Sequence, residues 1–268
     1  MPQEAKLQLV KVSKTFGHPH GMVKALEGID LIVYPQEFVS ILGPSGCGKS
    51  TLFNIIAGLL RADQEGQIFL DHRRIDGEQG LVAYMPQKDL LFPWRTVLDN
   101  AIIGLELAGV RRQEARKEAR ELFQHFGLAG FEHQYPATLS GGMRQRVALI
   151  RTLLFKKEIM LLDEPFGALD AMTRTLMQQW LLQVWSEFRK TILFITHDVE
   201  EAIFLSDRIY VLTARPGSVK AVKPVPLPRP RCLQMVTSPP FTTLKAELLE
   251  LVREESEKAF LANLIRSN

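Results

Sequence analysis

The sequence has no apolar run of about eighteen residues, a length typical of a membrane-spanning helix. Residues 1–6, Met-Pro-Gln-Glu-Ala-Lys, also lack the apolar stretch of a secretory signal peptide. We therefore expect the chain to stay in the cytosol and to meet a membrane only from the cytoplasmic side.

Cysteine and net charge are also low. The 268 residues include two cysteines, Cys47 in a glycine-rich turn and Cys232 in a proline-rich tract. Neither position favours a disulfide or a metal site. A reducing compartment is therefore expected. The formal net charge is +3, and no basic stripe with interleaved aromatic residues occurs, so nucleic acid is not an expected partner. The charge-rich run 111–120 mixes both signs and is typical of a solvated helix face.

The most informative segment is 43–51, Gly-Pro-Ser-Gly-Cys-Gly-Lys-Ser-Thr, which follows the apolar run 38–42 and precedes the helical stretch 52–60. A glycine-rich turn between a strand and a helix directs backbone N–H groups and the positive end of the helix dipole at one point, which suits a polyphosphate. In this motif Lys49 reaches the β- and γ-phosphates and Ser50 is placed to bind Mg²⁺. A chance glycine-rich turn is the alternative. The predicted nucleotide site comprises Gly43, Ser45, Gly46, Cys47, Gly48, Lys49, Ser50 and Thr51.

A second helix N-terminus suited to an anion lies at 139–146, Leu-Ser-Gly-Gly-Met-Arg-Gln-Arg. Ser140 is a favourable N-cap, Gly141 and Gly142 allow a backbone to approach a ligand closely, and apolar residues follow at helical spacing. The segment resembles the signature motif of the ATP-binding subunits of ABC transporters, which reads Leu-Ser-Gly-Gly-Gln or Leu-Ser-Gly-Gly-Met. A small-molecule phosphotransferase, the rival class, has no need of it.

The other landmarks of that family follow in order. Segment 158–165 is an apolar strand that ends in Asp163 and Glu164. Buried carboxylates without a cation are costly, so the pair suits a metal-dependent site, although a strand followed by an acidic turn is common. The resemblance implies that Asp163 reaches Mg²⁺ and that Glu164 polarises the attacking water as a general base.

Asp170 and His197 extend the resemblance. Asp170 ends Ala-Leu-Asp, which is similar to the family's D-loop, and His197 follows the apolar strand 192–196. The resemblance implies that Asp170 lies at the nucleotide and that His197 contacts the γ-phosphate. Without this context, a histidine at a strand end is more often a surface or packing residue.

Gln87 and Phe16 complete the expected site. Gln87 ends the predicted short strand 81–87 and resembles the family's Q-loop glutamine, which contacts Mg²⁺ or the attacking water. An exposed glutamine without such a role is the alternative. Phe16 aligns with the family's A-loop and is the candidate for stacking on adenine, while a core phenylalanine in a pair of N-terminal strands is the alternative.

The fold class follows from length, composition and resemblance. The 268 residues are 46% hydrophobic and 24% charged, enough for one α/β core with a smaller subdomain. The resemblance implies a P-loop NTPase (RecA-like) core sheet with an antiparallel β subdomain and an α-helical subdomain of the ABC ATPase type. Because no internal repeat occurs, we expect one nucleotide-binding domain over 1–268, with the helical subdomain at 94–138. Residues 216–268 should form a proline-rich linker or edge strand and then an amphipathic helix over 242–265.

The implied function is that of an ATP-hydrolysing subunit that uses ATP and Mg²⁺ to power transport. Family members sandwich two ATP molecules between two such domains, so we expect a second ATP-binding subunit, as a homodimer or a related chain. Transmembrane permease subunits and, indirectly, a solute-binding protein are the other expected partners. Segments 90–100, 214–217 and 226–230 resemble the nitrate, sulfonate, taurine and bicarbonate importer group. An exporter or a non-transport ABC ATPase of DNA repair or translation is the alternative.

Two positions depart from the family pattern. Gln36 replaces the usual glycine of Pro-Gly-Glu, so this turn must adopt a negative φ or carry strain. Residues 150–152, Ile-Arg-Thr, replace Ala-Arg-Ala and place larger side chains on a packed helix. Neither change removes a catalytic residue, so we expect an active ATPase.

Overall fold

The computed structural model describes residues 4–18 and 21–267. Residues 1–3 of the segment used to exclude a signal peptide, and residue 268 of the expected C-terminal segment 216–268, lie outside the described residues. None of the helices in those described ranges is both long and apolar enough to cross a membrane. The strands are β1 (Leu7–His18), β2 (Gly21–Val33), β3 (Phe38–Leu42), β4 (Gln67–Leu70), β5 (Arg73–Arg74), β6 (Ala83–Met85), β7 (Ile159–Asp163), β8 (Thr191–Ile195), β9 (Arg208–Leu212) and β10 (Val219–Pro224). The α-helices are α1 (Lys49–Ile56), α2 (Val97–Ala101), α3 (Ile103–Leu107), α4 (Arg112–His125), α5 (Gly141–Leu154), α6 (Ala171–Phe188), α7 (Val199–Leu205) and α8 (Pro239–Ser267).

The chain divides into two compact units. The first comprises Met1–Leu81 with Val184–Asn268, and the second comprises Val82–Gln183. The first unit holds an antiparallel sheet in the order β2-β1-β4-β5. It also holds a sheet region in which β3 pairs in parallel with β8 and β9, while β10 adds antiparallel to β9.

Strands β3 and β8 form the buried centre of the first unit. Every residue of both strands is buried. Their sequences, Phe-Val-Ser-Ile-Leu and Thr-Ile-Leu-Phe-Ile, are largely apolar and rich in β-branched residues, as suits parallel strands covered on both faces. The ring centroid of Phe38 lies 5.8 Å from that of Phe194 and 6.4 Å from that of Trp185. This packing covers the start of β3, and the strand ends at Leu42, directly before residues 43–51.

The turn before β3, at Gln36, has the strained positive φ rather than the negative φ that was the other expectation. Gln36 has a φ of 63°, in the left-handed region that residues with a Cβ rarely occupy. Its backbone N–H donates to Thr191 Oγ1 at 3.0 Å. The neighbouring Glu37 carboxylate accepts from Tyr34 N and from Arg208, both at 2.8 Å. Side-chain hydrogen bonds therefore hold the turn that glycine would have adopted freely.

The C-terminal part of the first unit begins with β10, an edge strand, as the prolines suggested. The guanidinium of Arg229 then lies 4.0 Å from the Trp185 ring centroid. Helix α8 begins at Pro239, before the predicted start at residue 242, because proline is tolerated in the first helical turn. Phe241, Leu244 and Leu248 are buried, so the apolar face of α8 closes over its own unit.

The second unit pairs β6 in parallel with β7. Between residues 94 and 138 its elements are α2, α3, α4 and a 3-10 helix at Pro136–Thr138. Ala115, Ala119 and Phe123 of α4 are buried. Most of the charged residues of α4 are exposed, which confirms the prediction of a solvated helix face.

Candidate functional site

The phosphate loop, residues 43–51, connects β3 to α1 in the first unit. Gly46 and Gly48 have φ values of 74° and 107°, which glycine adopts without strain. A Cβ on Gly48 would lie 2.7 Å from Leu26 Cδ2 and 2.8 Å from the carbonyl oxygen of Ala25. The loop geometry therefore needs glycine at 48 for both conformation and space.

Lys49 is the cation of this loop. It is 7% exposed, and its Nζ donates to the carbonyl oxygens of Gly43 at 2.8 Å and of Pro44 at 2.9 Å. The ammonium is thus enclosed by the loop, while the side chains of Ser45 and Ser50 are exposed. Cys47 is a buried free thiol, and its burial raises the pKa of that thiol. The loop therefore presents one positive charge and no competing anion of its own.

His197 lies near the same edge of the first unit. It follows β8, whose residue Ile195 pairs with Ile41 of β3, and the carboxyl ends of neighbouring parallel strands share one edge of the sheet. Asp198 caps α7, because its Oδ1 accepts from the N–H groups of Glu200 at 2.8 Å and Glu201 at 3.2 Å. An exposed His197 is therefore fixed between a strand and a capped helix.

Phe16 lies on β1 and is 37% exposed. The alternative that it is a core residue is therefore wrong. Lys14 Nζ lies 5.6 Å from the Phe16 ring centroid. The exposed ring leaves a face for a planar ligand in the first unit.

In the second unit, Asp163 ends β7 and Glu164 follows it. Asp163 is 2% exposed, and Glu164 is half-buried with a φ of 49°. Gln87 Nε2 donates to Glu164 Oε2 at 3.1 Å, so the side chains of Gln87 and Glu164 are in contact. Burial and the neighbouring Asp163 charge raise the pKa of Tyr84, which keeps this phenol neutral.

The signature segment begins α5 in the same unit. Ser140 is its N-cap and accepts from Met143 N at 3.3 Å, which confirms the predicted capping role. A Cβ on Gly142 would lie 3.0 Å from Leu169 Cδ2, so the signature segment approaches the D-loop closely. Asp170 is exposed, and the backbone N–H of Thr173 lowers the pKa of its carboxyl group.

Gln145 is a site residue that the sequence patterns did not reveal. It is 7% exposed, its Nε2 donates to the carbonyl oxygen of Glu164 at 2.9 Å, and its Oε1 accepts from Ala168 N at 2.9 Å. One side chain of α5 thus joins the strained Glu164 backbone to the D-loop. The sequence signal that could have identified Gln145 is a polar residue at a helical position that the apolar spacing of α5 predicts to be buried. A search for apolar periodicity alone does not detect it.

The oxygen donors assigned to Mg²⁺ by sequence are a hydroxyl on Ser50, an amide on Gln87 and a carboxylate on Asp163. Such hard oxygen ligands suit Mg²⁺, which usually keeps waters and takes phosphate oxygens as further ligands. Over residues 4–18 and 21–267, no group of three or more His, Cys, Asp or Glu side chains could hold a metal without such help. Each of these side chains is therefore of a chemical type that suits a metal arriving with a nucleotide.

A glycine-rich loop with an enclosed lysine, after a buried parallel strand, defines a phosphate-loop nucleoside triphosphatase. A family model described as ABC transporter matches residues 26–167. The chain belongs to this family and is an ATP-binding ATPase of the ABC type.

Known relatives extend over most of the chain. An uncharacterized ABC transporter ATP-binding protein of Methanocaldococcus jannaschii is 45% identical over 96% of this chain and 94% of that protein. The aliphatic sulfonates import ATP-binding protein SsuB of Bacillus licheniformis is 44% identical over 88% of this chain and 90% of its own length.

Solved structures confirm the predicted α/β P-loop fold of the ABC ATPase type. The dimeric structure of a bacterial ABC transporter cassette superposes with a TM-score of 0.74 at 32% identity, covering 82% of this chain and 98% of the other. A post-hydrolysis state of that cassette, bound to ADP and Pi, has a TM-score of 0.73 at 31% identity, with the same two coverages of 82% and 98%.

Proposed function

We propose that this chain is the ATP-hydrolysing subunit of an ABC importer for aliphatic sulfonates or a related small anion such as taurine, nitrate or bicarbonate. The observation that carries the proposal is the 44% identity to SsuB over 88% of the chain. The exporter and the DNA repair or translation system remain the alternatives, and the same similarity to an importer subunit argues against them.

The proposed chemistry assigns one role to each site residue. Lys49 neutralises the β- and γ-phosphates, and the N–H groups of the phosphate loop donate to them. Glu164 accepts a proton from the attacking water, and Gln87, its hydrogen-bond partner, orients that water. Exposed His197 contacts the γ-phosphate.

Mg²⁺ would be held by Ser50, Asp163 and Gln87, and when bound it neutralises phosphate charge during hydrolysis. The exposed ring of Phe16 stacks on adenine.

The ATP of a second subunit is bound by the signature and D-loop residues Ser140, Gly141, Gly142 and Asp170. We propose a single nucleotide-binding domain over 1–268, with 94–138 as its helical subdomain.

Two copies of the chain form the proposed assembly, attached to the cytoplasmic side of the membrane through permease subunits. The dimeric state of the bacterial cassette at 32% identity supports the pairing of two ATP-binding subunits. The exposed N-terminus of α5 supports a binding partner at the signature, because Ser140 and Gly141 face solvent within their own unit. A secreted solute-binding protein would deliver the solute to the permease.

The experiment that tests the proposed function is uptake into membrane vesicles. This chain is reconstituted with the permease encoded beside its gene and with the matching solute-binding protein. Uptake of a labelled alkanesulfonate should require ATP and should stop with Lys49→Ala. Competition by unlabelled taurine, nitrate and bicarbonate identifies the solute. ATP-dependent efflux, or co-purification with ribosomes or DNA instead of a permease, would reject the importer.

A further inference from the structure

Residues 214–217, Ala-Arg-Pro-Gly, lie against the phosphate loop within the first unit. The exposed guanidinium of Arg215 donates through Nε and Nη2 to the carbonyl oxygen of Gly46, at 3.1 and 2.9 Å. Hydrogen bonds from a charged donor restrain their acceptor more strongly than neutral ones. A residue outside the phosphate-loop motif therefore fixes one of its peptide groups.

That peptide group controls the shape of the loop. A trans peptide is planar, so holding the carbonyl of Gly46 also sets the direction of the N–H of Cys47. The N–H of Cys47 closes the turn by donating to the carbonyl oxygen of Pro44 at 3.3 Å. Arg215 thus restrains the turn from which the backbone N–H groups of the loop converge on an anion.

Gly217 provides a second contact to the same place. It is buried, and a Cβ at this position would lie 2.2 Å from the carbonyl oxygen of Cys47. Its backbone also pairs with β2, because its N–H donates to Ala25 O and its carbonyl accepts from Glu27 N, each at 2.9 Å. The loop 214–217 therefore touches two consecutive phosphate-loop residues and is itself held by the sheet.

The other end of this loop is attached to α8. The N–H of Ala214 donates to Glu255 Oε2 at 2.9 Å. Glu255 is 2% exposed, and Lys220 Nζ at 2.9 Å and Lys258 Nζ at 2.7 Å hold its Oε1. Contacts thus run without interruption from Glu255 through Ala214 and Arg215 to Gly46.

We propose that Arg215 is a positioning residue for the phosphate loop, and that Glu255 of α8 positions Arg215, so that the C-terminal helix sets the affinity of this chain for ATP. The inference rests on the proposed function only in taking residues 43–51 as the ATP site. It assigns a role in the ATPase cycle to a motif outside the conventional nucleotide-binding segments.

The first test measures the Kd of the purified full chain for a fluorescent ATP analogue, with unlabelled ATP as competitor. Arg215→Ala should weaken binding about tenfold, as expected for the loss of a charged hydrogen bond. Arg215→Lys, which keeps the charge and one donor, should recover part of the loss. Arg253→Ala is the matched control, because exposed Arg253 binds only Glu250 and Glu257 of its own helix among the described contacts, and its Kd should not change.

The second test separates positioning from stability. Glu255→Gln should also weaken ATP binding, while Glu254→Gln, the exposed neighbour that binds the same Lys220, should not. Each Kd is measured well below the Tm of that variant. A lower Tm with an unchanged Kd for Arg215→Ala and Glu255→Gln would overturn the inference, because the contacts would then be purely structural.

The two proposals fail in different ways. If the unaltered chain does not bind the ATP analogue, the proposed ATP site itself is wrong. If the unaltered chain binds it and Arg215→Ala binds equally well, only the positioning role of Arg215 is wrong. A KM for ATP that rises in Arg215→Ala, with kcat within about twofold of the unaltered chain, would support the role in binding rather than in the chemical step.

Discussion

Glu164 combines an unusual backbone with the carboxylate that we propose as general base. Its φ of 49° is strained for a residue with a Cβ, and Gln145 and Gln87 bond its carbonyl and its side chain. Glu164→Gln keeps the shape but removes the base, so hydrolysis should fall about 10²-fold or more. Phosphate release by the purified variant measures this, with unchanged ATP affinity as the control. Turnover near that of the unaltered chain would remove Glu164 from this role.

Gln145 offers a separate prediction on stability. Gln145→Leu removes the hydrogen bonds that this side chain makes with the N–H of Ala168 and the carbonyl of Glu164. The loss of these two bonds should lower the free energy of unfolding by about 1–3 kcal/mol. Urea denaturation checks the value. Gln124→Leu, an exposed position on α4, is the control and should be within about 0.5 kcal/mol of the unaltered chain. An equal effect of both variants would contradict the assigned hydrogen bonds.

Residue-level prediction is strongest where a local pattern carries the chemistry. The phosphate loop could be predicted because glycines at 46 and 48, and Lys49 beside them, are fixed by the conformation of one short turn. The roles of Gln145 and Arg215 could not, because their backbone partners lie far away in sequence. A motif with a fixed local spacing cannot predict contacts between such distant residues.

At the scale of elements, buried strands were the most predictable. The largely apolar runs of β3 and β8 give strands because both faces of such parallel strands are covered. The start of α8 at Pro239 was missed, since proline ends some helices but also begins others. The left-handed turn at Gln36 was one of two open alternatives. Its φ of 63° shows that the strained one is adopted, and the N–H of Gln36 is bonded to the distant Thr191.

Helix α8 gives a prediction on pH. Burial opposes the charge of Glu255, but the Lys258 and Lys220 ammonium groups and the Ala214 N–H outweigh it and lower the pKa from 4.5 to about 2. A folded-state pKa below the unfolded value stabilises the fold above about pH 4.5, and this stabilisation is lost as the pH falls toward about 2. The loss at completion should be about 3 kcal/mol, from about 1.4 kcal/mol per pKa unit.

Denaturation at a series of pH values from 7 to about 3 tests this linkage. The difference in unfolding free energy between the unaltered chain and Glu255→Gln should shrink as the pH falls, because the amide cannot titrate. A difference that stays constant over this range would show that the Glu255 carboxylate has no depressed pKa.

At the scale of the whole molecule, Ser140 should decide pairing with a second ATP-binding subunit. Ser140→Arg places a bulky cation at the exposed N-terminus of α5, where it opposes the helix dipole. In a Glu164→Gln background, light scattering should show an ATP-dependent dimer that the added Ser140→Arg abolishes, while ATP affinity of the monomer stays nearly the same. Ser140→Asn, which keeps an N-cap, controls for helix stability. A dimer that persists in the double variant would exclude the signature from the interface.

The last prediction concerns the permease and rests on an exposed aromatic pair in the second unit. Phe92 and Trp94 are 40% and 73% exposed, and their rings stack with centroids 5.2 Å apart. Buried Asn100 holds this loop, because its Nδ2 donates to the carbonyl oxygens of Phe92 at 3.0 Å and of Arg95 at 3.1 Å. A solvent-facing aromatic pair on a loop held by hydrogen bonds is unlike buried packing residues, and it suits the anchor of a protein interface.

Phe92→Ala with Trp94→Ala should therefore loosen co-purification with the permease and abolish ATP-driven uptake, while the ATPase activity of the isolated chain persists. Truncation of central interface aromatics commonly costs about 2 kcal/mol or more, roughly a thirtyfold loss of affinity. Leu107→Ala, which removes another exposed apolar side chain of the second unit, is the control and should assemble normally. If the double variant unfolds, these residues belong to packing, and if it assembles and transports like the unaltered chain, the permease binds elsewhere.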